Sequence, residues 1–182
     1  MVFKNKVNDI PIVIIGAGIA GLCVSYYLSK KNINHIILER GVIGNSWINE
    51  RWDSFHLVNP NWAIKIPDFD INSKNFPSNN PDGFLNKTEV VNYIESFAKF
   101  VGSKIYEKEN VKKISKKNNR YQIVTSKQIL SSKIVIVASG AFGNAHSPNI
   151  KTNLDQNIFQ IHSSEYKNST QLPKGDVVVV GS

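Results

Sequence analysis

The sequence is short of cysteine, of arginine and of long apolar runs, and each shortage excludes something. A single cysteine, Cys23, rules out an internal disulfide framework and agrees with a reducing compartment. No uninterrupted apolar run approaches the roughly 18 residues that a membrane-spanning helix needs, so no membrane partner is expected. Arginine occurs only as Arg40, Arg51 and Arg120, and nearly all of the positive charge behind the formal net +8 is lysine. The lysine pairs at 30–31, 112–113 and 116–117 fall in separate segments, without the interleaved aromatics of a single-strand binder. No nucleic-acid partner is expected. Four scattered histidines show no metal-ligand spacing, and no metal site is expected.

What is present describes an ordinary folded domain: 182 residues, 41% hydrophobic and 20% charged. Lys4 and Lys6 ahead of the apolar stretch 10–28 imitate a secretory leader. Gly16, Gly18 and Gly21 interrupt that stretch and no small-residue cleavage site follows, so a cytoplasmic protein is expected.

Residues 10–15 are a continuous, β-branched apolar run, as a strand buried on both faces requires. Residues 22–31 read as a helix with Leu22 and Tyr26 inward, and 35–38 as a second strand ending at Glu39. This is a βαβ unit of about 30 residues, which implies a parallel sheet. The stretch 41–87 is rich in Asn, Pro, Asp and Trp, lacks periodicity, and is long enough to suggest function. Thr88 reads as the N-cap of a helix over 88–101 with Val91, Ile94, Phe97, Ala98 and Val101 on one face and Gly102 as its stop. Short strands are expected at 104–106, 111–114, 120–125 and 128–130, with a meander turn at Asn118 and Asn119. Buried strands are expected at 134–138 and 177–180.

The chemistry-bearing motif is G-x-G-x-x-G, between strand and helix. Gly16 permits a tight turn, Gly18 lets backbone approach a pyrophosphate, and Gly21 allows helix and strand to pack closely. Ala17, Ile19 and Ala20 fill the remaining positions and offer backbone N–H groups at the helix N-terminus. Glu39, 18 residues past Gly21, is placed to accept hydrogen bonds from ribose hydroxyls. Its charge opposes a ribose 2′-phosphate, although Arg40 beside it is a residue that receives one. The residues therefore point to an adenine dinucleotide, FAD or NAD, with NADP a poorer option.

From Glu39 onward the sequence resembles the flavin-containing monooxygenases. The acid–Arg pair Glu39-Arg40, followed by Gly44, Ser46 and Trp47, is similar to that family's Gly-x-x-Trp box. The likeness runs on through 51–54, 67–69, 76–77, Phe84 and 89–100. Ala138-Ser139-Gly140 stands where the family carries Ala-Thr-Gly. His162-Ser163-Ser164-Glu165-Tyr166 resembles the end of the family's Phe-x-Gly-x-x-x-His linker, with Gln156 and Ile158 in place of its Phe and Gly. The resemblance covers residues 8–182 and is closest to the bacterial flavoproteins of the Baeyer–Villiger and plant YUCCA-like side.

The resemblance implies FAD reduced by NADPH, a C4a-peroxyflavin formed with oxygen, and transfer of one oxygen atom to a small-molecule substrate. It implies that Gly16, Gly18 and Gly21 hold the pyrophosphate and Glu39 the ribose. Gly44, Ser46 and Trp47 would pass along the flavin, and Val111 would offer backbone to adenine. Ala138, Ser139 and Gly140 would close the FAD segment. Asn59, or Val58 one register earlier, would approach the isoalloxazine; no other catalytic candidate emerges. The expected fold is α/β, a Rossmann-like FAD-binding domain over 1–145 with a parallel sheet and a β-meander. A linker over 146–175 and the first strand of a truncated NAD(P)-binding domain over 176–182 would follow, since the residues before Gly181 echo those before Gly16. Residues 1–182 by themselves are then expected not to turn over NADPH, and a chain carrying the remainder is a possible partner.

Two other functions stand beside this one: a non-catalytic FAD-binding piece, or another two-dinucleotide flavoprotein reductase. A disulfide reductase is disfavoured because no cysteine pair is present. Trp62 reads as a core anchor, Cys23 as a packing residue, and His35 and His146 as structural or surface residues. His56 has no orienting partner that the sequence reveals.

Overall fold

The computed structural model describes residues 8–141, 143, 145–149 and 153–181. Lys4 and Lys6 lie outside them. The chain opens with β1 (Asn8–Ile15), α1 (Ile19–Lys30) and β2 (His35–Leu38), then a short α2 (Asn45–Asn49) and a long α3 (Lys87–Val101). Strands β3 (Ile105–Tyr106), β4 (Val111–Lys117), β5 (Arg120–Thr125) and β6 (Ile129–Val137) complete one six-stranded sheet of order β3-β2-β1-β6-β5-β4. The β3-β2-β1-β6 half is parallel, and β6-β5-β4 is the antiparallel meander. Among the described residues no helix is long and apolar enough to cross a membrane.

The apolar run of β1 is continuous because both of its faces are covered. Ile12 and Ile14 join Leu22, Ile37, Phe69 and Phe97 in the main core. Val13 turns the other way, with Ile36, Leu38, Ile123 and Leu130. Pro11 sits within this central strand without an N–H to give, and the pairing with β6 skips from Ile10 to Ile12. The Ser132 hydroxyl lies 2.7 Å from the Ile134 carbonyl and 3.1 Å from the Pro11 carbonyl, with one proton to give between them.

Helix α3 begins one residue earlier than expected, and its cap is Asn86 rather than Thr88. The Asn86 side chain accepts the Glu89 N–H at 3.0 Å, and the Glu89 carboxylate accepts the Asn86 N–H at 2.8 Å. Its buried face is Val90, Tyr93, Ile94, Phe97 and Ala98, while Val91 is only half-buried. Gly102 ends the helix with φ +67°, as expected. The strands expected at 128–130 and 134–138 are one continuous strand, β6.

The aperiodic stretch before α3 is ordered by backbone bonds between its two ends: Leu57 N–H to Leu85 O, Asn61 N–H to Gly83 O and Trp62 N–H to Pro81 O, at 2.8–3.0 Å. It lays Ile66, Phe69, Phe76 and Leu85 over α3. Residues 177–180 form no strand here, and Val178 and Val179 are 85% and 84% exposed. A β-strand needs a ladder partner, and none of the six strands lies alongside this run.

Candidate functional site

The glycine loop separates into two jobs. Gly16 turns with φ +108°, and a Cβ there would stand 2.4 Å from the Ala138 carbonyl oxygen. A Cβ on Gly21 would stand 2.0 Å from the Gly16 carbonyl oxygen. Both residues are glycine because the protein's own backbone leaves no room. Gly18 differs: nothing lies within 4 Å of its Cβ position. It caps α1 in extended backbone, no side chain bonds to the cap, and no acid occupies the first turn. The free N–H groups and partial positive charge of α1 therefore face open space, which is the geometry an anion takes.

Glu39 closes the other side. It is 8% exposed, and its Oε2 accepts the Ala17 N–H while its Oε1 accepts the Gly41 N–H, each at 2.8 Å. The tip of β2 is held to the tip of β1 by Gly16 N–H to Leu38 O at 2.8 Å. Each carboxylate oxygen keeps a further lone pair for a hydroxyl. Arg40, the residue that would receive a 2′-phosphate, is paired with Glu50. The cation is engaged and the acid is fixed, so a 2′-phosphate would meet negative charge.

The cleft beside this loop has a volume of about 330 Å³. It brings together Gly16, Glu39, Arg40, Val111, Ser139 and Gly140 of the residues expected from sequence. Ala138 lies beneath it, its N–H on the Ile15 carbonyl at 2.8 Å. Sequence reasoning missed Glu109 and Asn110, which also line the cleft. Glu109 is 2% exposed and accepts from the Thr125 hydroxyl at 2.7 Å and the Gln128 amide at 2.8 Å. In the sequence it is indistinguishable from exposed Glu107 two residues before it; only the meander shows which of the two turns inward.

Of the expected residues, Ala17, Gly18, Ile19, Ala20, Gly21 and Ala138 do not line the cleft, and neither do Gly44, Ser46, Trp47 and Asn59; of the glycine loop only Gly16 does. Gly44 starts α2 with φ +71°. Trp47 meets Phe55 edge-on at 5.5 Å, Trp52 does so at 4.5 Å, and the Arg51 guanidinium lies 5.4 Å over Trp47. Asn59 is exposed, and Val58 is 84% exposed. The buried asparagine is Asn61, whose amide nitrogen donates to Asn80 O at 2.8 Å while its Oδ1 meets no donor among the described residues. The Asn61–Ala63 turn that seats this amide faces Trp62 outward at 54% exposure, so Trp62 is not a core anchor.

Cys23 is half-buried against the main core, and burial pushes its thiol pKa up. His35 is a packed residue hydrogen-bonded to Ser25 at 2.7 Å and to the Ile33 carbonyl at 2.7 Å. His146 is exposed. His56 is exposed too, with Nδ1 2.9 Å from the Ser54 carbonyl. The segment after His162 docks on Asp53: the Asp53 N–H donates to Lys167 O and the Asn168 amide donates to the Asp53 carboxylate, both at 2.8 Å.

Known proteins resemble this chain in sequence and in fold. The chain is 34% identical to the uncharacterized oxidoreductase CzcO of Bacillus subtilis, over 93% of this chain and 47% of that protein. It is 30% identical to the probable indole-3-pyruvate monooxygenase YUCCA1 of Arabidopsis thaliana, over 93% of this chain and 41% of that one. The chain thus spans about half the length of these curated relatives. Its fold matches the flavin-containing monooxygenase of Stenotrophomonas maltophilia with a TM-score of 0.67 at 24% identity, over 78% of this chain and 42% of that one. It matches the bacillithiol disulfide reductase of Staphylococcus aureus with a TM-score of 0.65 at 21% identity, over 77% and 41%. The model of the pyridine nucleotide-disulphide oxidoreductases matches residues 13–182, and the chain belongs to that family.

Proposed function

We propose that this chain is the FAD-holding portion of an NADPH-dependent flavin monooxygenase. The observation that carries the reading is the pairing of Glu39 with the Ala17 N–H beside the open space at Gly18. The N-terminus of α1 holds the pyrophosphate, and the Gly18 backbone lets it approach. Glu39 orients the adenosine ribose with the lone pairs its backbone bonds leave free. Val111 and Asn110 border the base. Bound flavin would supply the redox chemistry, accepting hydride from NADPH and passing one oxygen atom of O₂ to a small-molecule substrate while the other leaves as water. The likeness to YUCCA1 favours oxygen transfer over disulfide reduction, as does the lack of a cysteine pair within these 182 residues. NADPH and substrate would be held by the part of these relatives that this chain does not span.

The test is the visible spectrum of the purified 182-residue chain, followed by denaturation to count released flavin. About one FAD per chain is expected, before or after adding FAD. A colourless protein that takes up NAD instead, read as protection against unfolding, would overturn the flavin assignment.

A further inference from the structure

Glu109 is nearly fully buried, lines the cleft, and has only half of its carboxylate in use. Thr125 and Gln128 both donate to Oε1, and no protein donor among the described residues meets Oε2. Oε2 is not one of the buried, unpartnered side-chain oxygens, of which the described residues hold only Asn61 Oδ1, so it stays open to solvent and to a donor that enters the cleft. The Glu109 N–H donates to the Glu39 carbonyl at 2.8 Å, so Glu109 lies directly next to the ribose acid. Val111, two residues on, borders the same cleft.

We propose that Glu109 reads the purine base, its Oε2 accepting the exocyclic 6-amino group of adenine. This rests on the reading that the cleft holds the adenosine half of a dinucleotide. A 6-aminopurine presents an N–H to the carboxylate; a 6-oxopurine presents a lone pair and is repelled. The bonds from Thr125 and Gln128 fix the carboxylate so that it cannot turn away. Recognition here is therefore by charge as well as by shape, and it makes Glu109 a determinant of base specificity.

The experiment compares ADP with IDP by calorimetry on the flavin-free 182-residue chain, with FAD binding measured in parallel. ADP is expected to bind about tenfold more tightly than IDP, the size of one hydrogen bond to a charged group. In Glu109→Gln the amide oxygen stays with Thr125 and Gln128, so its nitrogen faces the base, and the preference is expected to shrink or reverse. Glu109→Asp withdraws the carboxylate and is expected to narrow the ratio too, which keeps the test intact if the glutamine variant does not fold. FAD binding together with equal ADP and IDP affinities, or an unaltered ratio in the variants, would overturn the role of Glu109 alone. Failure of FAD, ADP and IDP all to bind would overturn both this role and the dinucleotide reading beneath it.

Discussion

The carboxylate of Glu39 and the backbone N–H of Ala17 are joined by a 2.8 Å hydrogen bond that spans from the end of β2 into the glycine loop. The same carboxylate takes the Gly41 N–H, so one buried side chain sets the spacing of two loops. Glu39→Ala leaves both N–H groups without that acceptor. Hydrogen bonds to charged groups contribute about 1.5–3 kcal/mol each, and part of that is recovered by water entering the space left behind. A destabilisation of about 2 kcal/mol is expected in urea unfolding, together with loss of flavin retention. An unchanged unfolding midpoint would show that the loop spacing is set elsewhere.

The three glycines of the loop are expected to respond differently to substitution. Gly21→Ala drives a methyl group onto the Gly16 carbonyl and should destabilise the fold by about 3 kcal/mol or more, as overpacking against backbone does. Gly18→Val meets open space and extended backbone, so its cost should be limited to about 1 kcal/mol, that of exchanging a glycine N-cap for a poor one. Its branched side chain occupies the place of the pyrophosphate, and flavin retention should be abolished. A Gly18→Val protein that keeps its flavin would show that the phosphate lies elsewhere.

Helix α3 separates what the sequence reveals from what it does not. Its existence, its stop at Gly102 and most of its inward face follow from periodicity, because a 3.6-residue repeat survives small errors of phase. Its start does not, because Asn86 and Thr88 are both capping residues and only the reciprocal bonds with Glu89 choose between them. Asn86→Ala is expected to cost about 1 kcal/mol, and Thr88→Ala, at an exposed position within the helix, to be neutral or slightly stabilising. Equal costs in thermal unfolding would contradict the observed cap.

The candidate site divides along the same line. The placement of Gly16, Gly18, Gly21 and Glu39 is legible because it belongs to backbone geometry within one βαβ unit, where spacing in sequence is spacing in space. That of Glu109 is not, since its burial depends on Thr125 and Gln128, which the meander brings back from further along the chain. Trp62 misled for a related reason. Size alone favours an aromatic as the anchor of a long loop, but the backbone bonds of Asn61 and Trp62 to Gly83 and Pro81 set which side chain turns inward.

The docking of the segment after His162 is expected to depend on pH. The Asp53 carboxyl is held below the ordinary aspartate value of 3.8, chiefly by the Asn168 amide and further by Lys87 and Lys167. A depressed folded pKa means that the docked state binds fewer protons than the released one. The contribution of Asp53 is therefore complete above that ordinary value and is lost as the pH falls through the lower, docked value. Because Asp53 is exposed, the loss should free the segment locally without unfolding the sheet. Hydrogen exchange at the Asp53 amide, which is bonded to Lys167 O, reports this directly. Its protection relative to the Gly16 amide should fall on acidification, and Asp53→Asn should lose that pH dependence. Protection that persists to pH values well below the ordinary aspartate range would show that the Lys167 carbonyl holds the segment without the carboxylate.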